Sequence, residues 1–337
     1  MPSITDPLHL TSLVVPKPWG GRRLERLGRA LPAEVMVGEI WEVADLASAD
    51  ASGVERPSTP VATGPFEGRT LGELLAGDRD GLLGQAADWD GRFPLLFKLL
   101  DVREPLSVQV HPPEGYVARH PEATLKTETW VVLDADPGAE VMIGLADGAT
   151  VEQVSGAMGS PDLVQLLHRA PAEVGAVHHL PAGTIHAVGG GVLLAEIQTP
   201  SDTTFRLYDW VAETGRAPRQ LHLEEGREAL ELAAASAPRA HAAGCRARDS
   251  SDRLPLDAGH YRLDRCHLGV GEEREIPGGT LRVVHVVTGE LEGDGFAWPV
   301  AAGSTVVLPA AWHGTLRAGI ATTWLETTLP ARADAGC

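Results

Sequence analysis

"VGAVHHLPAGTIHAVGGG", residues 174–191, places three histidines and five glycines in eighteen positions. Two readings compete for it. One is a β-hairpin whose imidazoles face water; the other is a turn that aims one imidazole into a cavity to hold a metal. Pro181 fixes φ at the turn, and Gly183 permits the tight backbone path that follows. His186 then opens a short apolar run, so it enters on a strand. His178 and His179 flank the turn and keep an ordinary hydrogen-bonding or surface role, as do His9, His120, His168, His222 and His241.

Around this stretch the chain reads as mainly β. Its 38 glycines and 25 prolines favour many turns and short strands over a helix bundle. Strands are expected between 10 and 45, at "FPLLFKLLDV" and "LSVQVHP", and on either side of Asp136-Pro137-Gly138. Helices are expected at 69–83, at 150–170 and from 224. "VAAGSTVVLPAAWHGTL" (300–316) weakly repeats the opening stretch, each with Leu-Pro-Ala before a histidine. The expectation is two tandem jelly-roll barrels with a few short helices. Residues 1–223 form the catalytic barrel, 224–256 a helix and linker, and 257–337 a second barrel without a metal site. His313 lies in the matching turn of that second barrel, where no Gln-x-His or His-x-His partner accompanies it.

Gly175, five residues, then Pro181-x-Gly183-x-x-His186 resembles the second motif of cupin barrels. A first motif must supply two donors at i and i+2, which share one face of a strand, and then a carboxylate. "SVQVHP" supplies Gln109 and His111, and "KTETW" supplies Glu128. With His186 these make two imidazole nitrogens, a carboxylate and an amide oxygen, a plausible zinc shell. Mn, Fe or Co would accept the same donors.

The blocks "FPLLFKLLDVREPLSVQVHP", "KTETW", "LPAGTIHAVGGGVLLAEIQ" and "SDTTFRLYDW", with "WGG" at 19–21, "GEIWEV" at 38–43 and "GPFEGRTLGELL" at 64–75, resemble the signature blocks of the cupin-type, type I phosphomannose isomerases in their short bacterial form. The resemblance runs over nearly the whole chain and is weakest in the C-terminal barrel. It implies interconversion of mannose 6-phosphate and fructose 6-phosphate, a zinc ion on Gln109, His111, Glu128 and His186, a substrate phosphate held by Ser107 and Lys126, and Arg206 near the reacting carbons. Three positions depart from the family pattern: Pro113 after His111-Pro112, Ala44 after "GEIWEV", and Leu180 before Pro181.

The chemistry of aldose–ketose isomerisation agrees with these residue types. A proton moves between C1 and C2 through a cis-enediol, which needs a base, an oxyanion partner and fixed sugar oxygens. Arg206 cannot lose its proton and suits the oxyanion role. Glu196, on the strand returning from His186, is a candidate base. Lys126 shares a strand face with Glu128. Alternatives stand beside each: Arg206 paired with Asp202 or Asp209, Glu196 holding His186 or Lys98, Lys126 as a solvated strand lysine, Ser107 bonded to backbone.

A formal charge of −18 argues against nucleic acid and anionic membrane as partners, so a phosphorylated hexose has to be drawn in by a local basic pocket. Cys245, Cys266 and Cys337 form no metal or disulfide pattern, and no long apolar run occurs; a cytoplasmic enzyme, monomer or homodimer, is the expectation. Two rival classes remain open: a cupin Fe(II) oxygenase on His111, Glu128 and His186, and a non-catalytic sugar-binding cupin.

Overall fold

The computed structural model describes residues 2–46, 58–236, 245–246 and 256–331. A seven-stranded sheet runs from edge to edge through Cys245–Arg246, Val177–Leu180, Glu128–Ala135, Val192–Gln198, Leu96–Val102, Val37–Val43 and Leu13–Gly21. Facing it is a five-stranded sheet in the order Phe205–Tyr208, Val108–Val110, His186–Val188, Glu140–Leu145, Leu167–Pro171. All neighbours in both sheets are antiparallel. A second pair follows. Its six-stranded sheet runs Leu8–His9, Thr305–Leu308, Arg282–Thr288, Thr322–Thr328, Arg262–Leu268, Leu256–Asp257, and its four-stranded sheet runs Glu273–Ile276, Gly314–Arg317, Glu290–Gly293, Val300–Ala301. This is the mainly β, two-barrel cupin architecture expected from the sequence.

"LFKLLDV" and "VLLAEIQ" are nearly continuous apolar runs because their strands are buried on both faces. Leu194 packs inside the first barrel with Trp130, Val132 and Val188. Its neighbours Leu193, Ala195 and Ile197 project the other way, into one buried cluster with Leu263, Val283, Val307 and Leu325 of the second barrel. The largest hydrophobic cluster therefore lies between the barrels. On the far side, Val108, Val110, Ile185, Phe205 and Leu207 cover the outer face of the five-stranded sheet against Val154, Leu163, Ala229 and Leu230 from helical segments.

Local structure differs from the expectations in two places and adds to them in two more. The helix expected at 69–83 is two, Leu71–Gly77 and Arg79–Leu83. Asp78 breaks the first, and its carboxylate caps the second by accepting from Gly81 N at 3.0 Å. The helical segment at 150–170 gives way at Leu167–Pro171 to a strand, which Glu140–Leu145 captures as a sheet partner. The strands on either side of Asp136-Pro137-Gly138 belong to opposite sheets. Finally, Leu8–His9 pairs with Thr305–Leu308, so the N-terminal segment shares a sheet with the C-terminal barrel. Of the expected linker, Cys245–Arg246 pairs with Val177–Leu180, whereas 237–244 and 247–255 fall outside the described residues, as do His241 and Cys337. Cys266 is a buried thiol.

Candidate metal centre

The turn at Pro181–Gly183 sets the geometry. Gly183 has φ +85° and donates its N–H to the carbonyl of His111 at 2.9 Å, which ties the two motifs together. His186 leaves this turn on a strand directly opposite Gln109, and Gln109 is in turn opposite Arg206 on the edge strand. Arg206, Gln109 and His186 thus form one cross-strand row, and cross-strand partners share a face. In the facing sheet Trp41, Lys98, Glu196 and Trp130 form a second row.

His111, Glu128 and His186 bring ligand atoms to within 4.8 Å of one another, all three residues buried. Both imidazoles are fixed in one tautomer: Nδ1 of His186 donates to Thr184 O at 2.8 Å, and Nδ1 of His111 donates to Thr203 O at 3.0 Å. A carbonyl can only accept, so each Nε2 carries a lone pair. These lone pairs face Glu128, with His111 Nε2 at 3.3 Å from one carboxylate oxygen and His186 Nε2 at 3.2 Å from the other. Burial, then the charge of Lys126, pushes His111 down to about 3, and burial lowers His186 as well, so neither imidazole is protonated near neutral pH. Glu128 is held well below the usual carboxylate range: burial opposes ionisation, but the ammonium of Lys126 outweighs it. His111 Nε2 and Glu128 Oε1 have no hydrogen-bond donor, and the other Glu128 oxygen has only the Lys126 ammonium beside it. Lys126 offsets the charge at one carboxylate oxygen, but the two imidazole lone pairs turned on that carboxylate still repel it unless a further cation lies among the three. The donor set fits a divalent metal, and the backbone carbonyls behind each imidazole supply the outer support such ligands use.

Gln109 lies against the same point. Its amide nitrogen is 3.0 Å from His186 Nε2, and its oxygen accepts from Ser107 Oγ at 3.4 Å. A half-turn of the amide presents oxygen to the imidazoles instead. Lys126 is buried with its ammonium 2.9 Å from Glu128, so it is no solvated lysine.

Beside this cluster lies a cavity of about 400 Å³ lined by Ser107, Gln109, Lys126, Glu196 and Arg206 among others. Residues 8–130 match the type I phosphomannose isomerase catalytic domain. A mannose-6-phosphate isomerase of Streptococcus mutans is 36% identical over 231 residues, covering 68% of this chain and 69% of that one. A putative mannose-6-phosphate isomerase of Bacillus subtilis, YvyI, is 38% identical over 230 residues, 67% and 69% of the two chains. The chain belongs to the type I phosphomannose isomerases. Its fold superposes on the crystal structure of the mannose 6-phosphate isomerase of Bacillus subtilis with a TM-score of 0.75 at 27% identity, over 97% of this chain and 100% of the other. Membership makes it an isomerase of a phosphorylated sugar.

The isomerase carries further charges that sequence reasoning did not assign to the site. Lys98 Nζ is 3.3 Å from Glu196 and 3.9 Å from Glu39, and Lys17 Nζ is 3.3 Å from Glu39. Trp130 Nε1 donates to Glu196 at 3.0 Å, and Trp41 Nε1 donates to Glu39 at 2.6 Å. Burial and the charge of Glu128 raise Glu196, against the pull of Lys98. The pairing of Glu196 with Lys98 raised as an alternative is therefore present, and both still line the cavity. Arg219 also lines it, held by Asp209 through Nε at 2.9 Å and through Nη2. Arg206 donates from Nη1 to Gln220 O at 2.8 Å, and its Nε is 4.0 Å from Asp209, too long for a tight ion pair. A lone lysine inside the apolar run "LFKLLD" was the signal for Lys98. His179 turns away from the site and bonds Thr129 Oγ1 at 3.0 Å.

Proposed function

We propose that this isomerase interconverts mannose 6-phosphate and fructose 6-phosphate through a cis-enediol, with one divalent cation on Gln109, His111, Glu128 and His186. One observation carries the reading: buried, donor-poor lone pairs of His111, Glu128 and His186 meet within 4.8 Å beside a cation-lined cavity. Zinc suits the nitrogen and oxygen donors, and when bound it supplies polarisation and orientation of sugar oxygens. Ser107 and Lys126 are assigned to the substrate phosphate, with Arg219 as a further cation lining the same cavity. Such a cluster is needed to hold an anion in a chain of net charge −18.

Glu196 is assigned as the base. It takes the proton from C2 of the aldose and returns it at C1 of the enediol, while Lys98 and Trp130 fix the position of its carboxylate. Its raised proton affinity moves it towards the working pH, as a general base requires. Arg206 remains cationic throughout and faces the oxygen on which charge develops. Residues 1–223 are proposed as the catalytic unit, completed by the N-terminal part of the helix Leu223–Ser236, with the C-terminal barrel free of metal.

An Fe(II) oxygenase would use His111, Glu128 and His186 but leaves Lys126, Arg206 and Arg219 without a task. The test is metal analysis of the purified full chain with a coupled assay of mannose 6-phosphate conversion, before and after chelation and after zinc is restored. Stoichiometric metal and activity lost and regained together are expected. Full turnover by metal-depleted protein, or turnover of no hexose phosphate, would overturn the proposal.

A further inference from the structure

We propose that His222 is a positioning residue for Arg206, clamping the backbone of the edge strand that aims this guanidinium into the cavity. The inference rests on the role given to Arg206 above. Phe205–Tyr208 is an edge strand whose sheet partner is Val108–Val110, which leaves its other side to be satisfied by something else. His222 does this with two bonds. Its backbone N–H donates to Arg206 O at 2.8 Å, and its Nδ1 accepts from Arg206 N–H at 3.2 Å. Its own carbonyl then accepts from Gly226 N at 2.9 Å and opens the helix Leu223–Ser236. One residue joins the strand that carries Arg206 to a helix packed on the barrel.

The side chain of Arg206 is lightly held. Nη1 has the carbonyl of Gln220, and Nε is buried with no hydrogen-bond partner. Its aim therefore depends on where the backbone is fixed, and a shift of about 1 Å at the base of a long side chain is enough to misplace its head relative to the reacting oxygen. Nδ1 can accept from a backbone N–H only while it keeps its lone pair. Burial, then the neighbouring guanidinium, favours the neutral ring, against the opposing charge of Glu225.

The test compares His222→Leu, which keeps bulk and removes the acceptor, with His222→Asn, whose amide oxygen can stand near the place of Nδ1. Kinetics are read as separate kcat and KM, and exchange of the Arg206 amide proton is followed in substrate-free protein. His222→Leu is expected to lower kcat by about 10- to 100-fold with little change in KM, and to speed exchange at Arg206. His222→Asn is expected to restore kcat to within about three-fold and to restore protection. Wild-type kcat in His222→Leu, equal impairment of both variants, or unchanged protection at Arg206 would each overturn the proposal. If Arg206→Ala itself turns over normally, the role of Arg206 fails, while amide exchange still decides whether His222 holds that strand.

Discussion

Gly183→Ala puts the turn that joins the two ligand motifs under a load that can be worked out in advance. The residue has φ +85°, where an L side chain costs about 1–2 kcal/mol. A Cβ built there lies 2.3 Å from Ala233 Cβ and 3.5 Å from Pro113 Cβ. Neither neighbour has a flexible end that could swing aside, so the turn or the helix Leu223–Ser236 must move by about 1 Å or more. Overpacking of this kind costs about 1–3 kcal/mol, which gives a loss of about 2–5 kcal/mol with the backbone term. The Gly183 N–H bond to His111 O would be strained in the same step, so metal uptake should weaken along with stability. Equilibrium urea unfolding and zinc titration measure the two effects. Adding Ala233→Gly removes the collision but leaves the φ strain and adds about 1 kcal/mol of helix penalty; the double variant should therefore be no less stable than the single one. Gly183→Ala within 0.5 kcal/mol of wild type, with unchanged zinc affinity, would refute the reasoning.

The remaining expectations are shorter. His111→Ala and His186→Ala should lose both metal and turnover, read by metal analysis and the coupled assay. Arg206→Ala should keep its metal and lose roughly 10²-fold or more in kcat, the scale of a deleted oxyanion donor; normal activity would remove it from the mechanism. His285, buried beside Phe97 at 5.0 Å between the barrels, is pushed down to about 3 by burial and Arg29. The unfolded chain binds this proton near pH 6.5 and the fold does not, so stability is full above that pH and falls from there towards pH 3, by about 2 kcal/mol at pH 5. Comparing wild type with His285→Asn in urea at pH 7 and pH 5 isolates that share, and identical pH slopes would contradict it. Tyr261→Phe removes a hydroxyl that bonds Ile197 O and Thr129 Oγ1, each at 2.8 Å; a loss of about 1–3 kcal/mol in the same unfolding assay is expected.

What could be read from the chain was whatever depends on local spacing. Gln109 and His111 stand two apart on one strand end, Glu128 opens the next strand of the other sheet, and the Pro181–Gly183 turn announces His186; each is a short-range pattern with a steric cause. Lys98 and Glu39 escaped because register brings them in: Lys98 is opposite Glu196, 98 positions later, and Trp41 is the neighbour on the other side. Arg219 escaped because it lies outside any strand, fixed by a carboxylate ten residues earlier. The strand at Leu167–Pro171 and the crossing of Leu8–His9 to the second barrel were hidden for a related reason. Both are decided by a distant edge that needed a partner, and two to five residues carry too little periodicity to reveal it.

Two carboxylates on adjacent strands, Glu128 and Glu196, are driven in opposite directions, and that division supports their separate assignments. Both are fully enclosed, so burial alone would raise both. Glu128 has the Lys126 ammonium at 2.9 Å and stays anionic, the form that the proposed ligand role needs. Glu196 has Lys98 at 3.3 Å but also the negative charge of Glu128, and its proton affinity rises. Two like groups pushed apart in this way are a pattern of acid–base sites, in which one holds charge and the other exchanges a proton. A cation among His111, Glu128 and His186 would offset the repulsion from Glu128 yet leave burial, the largest contribution, in place. On the assignment proposed above, Glu196 is the carboxylate of the pair that carries the proton between the two sugar carbons.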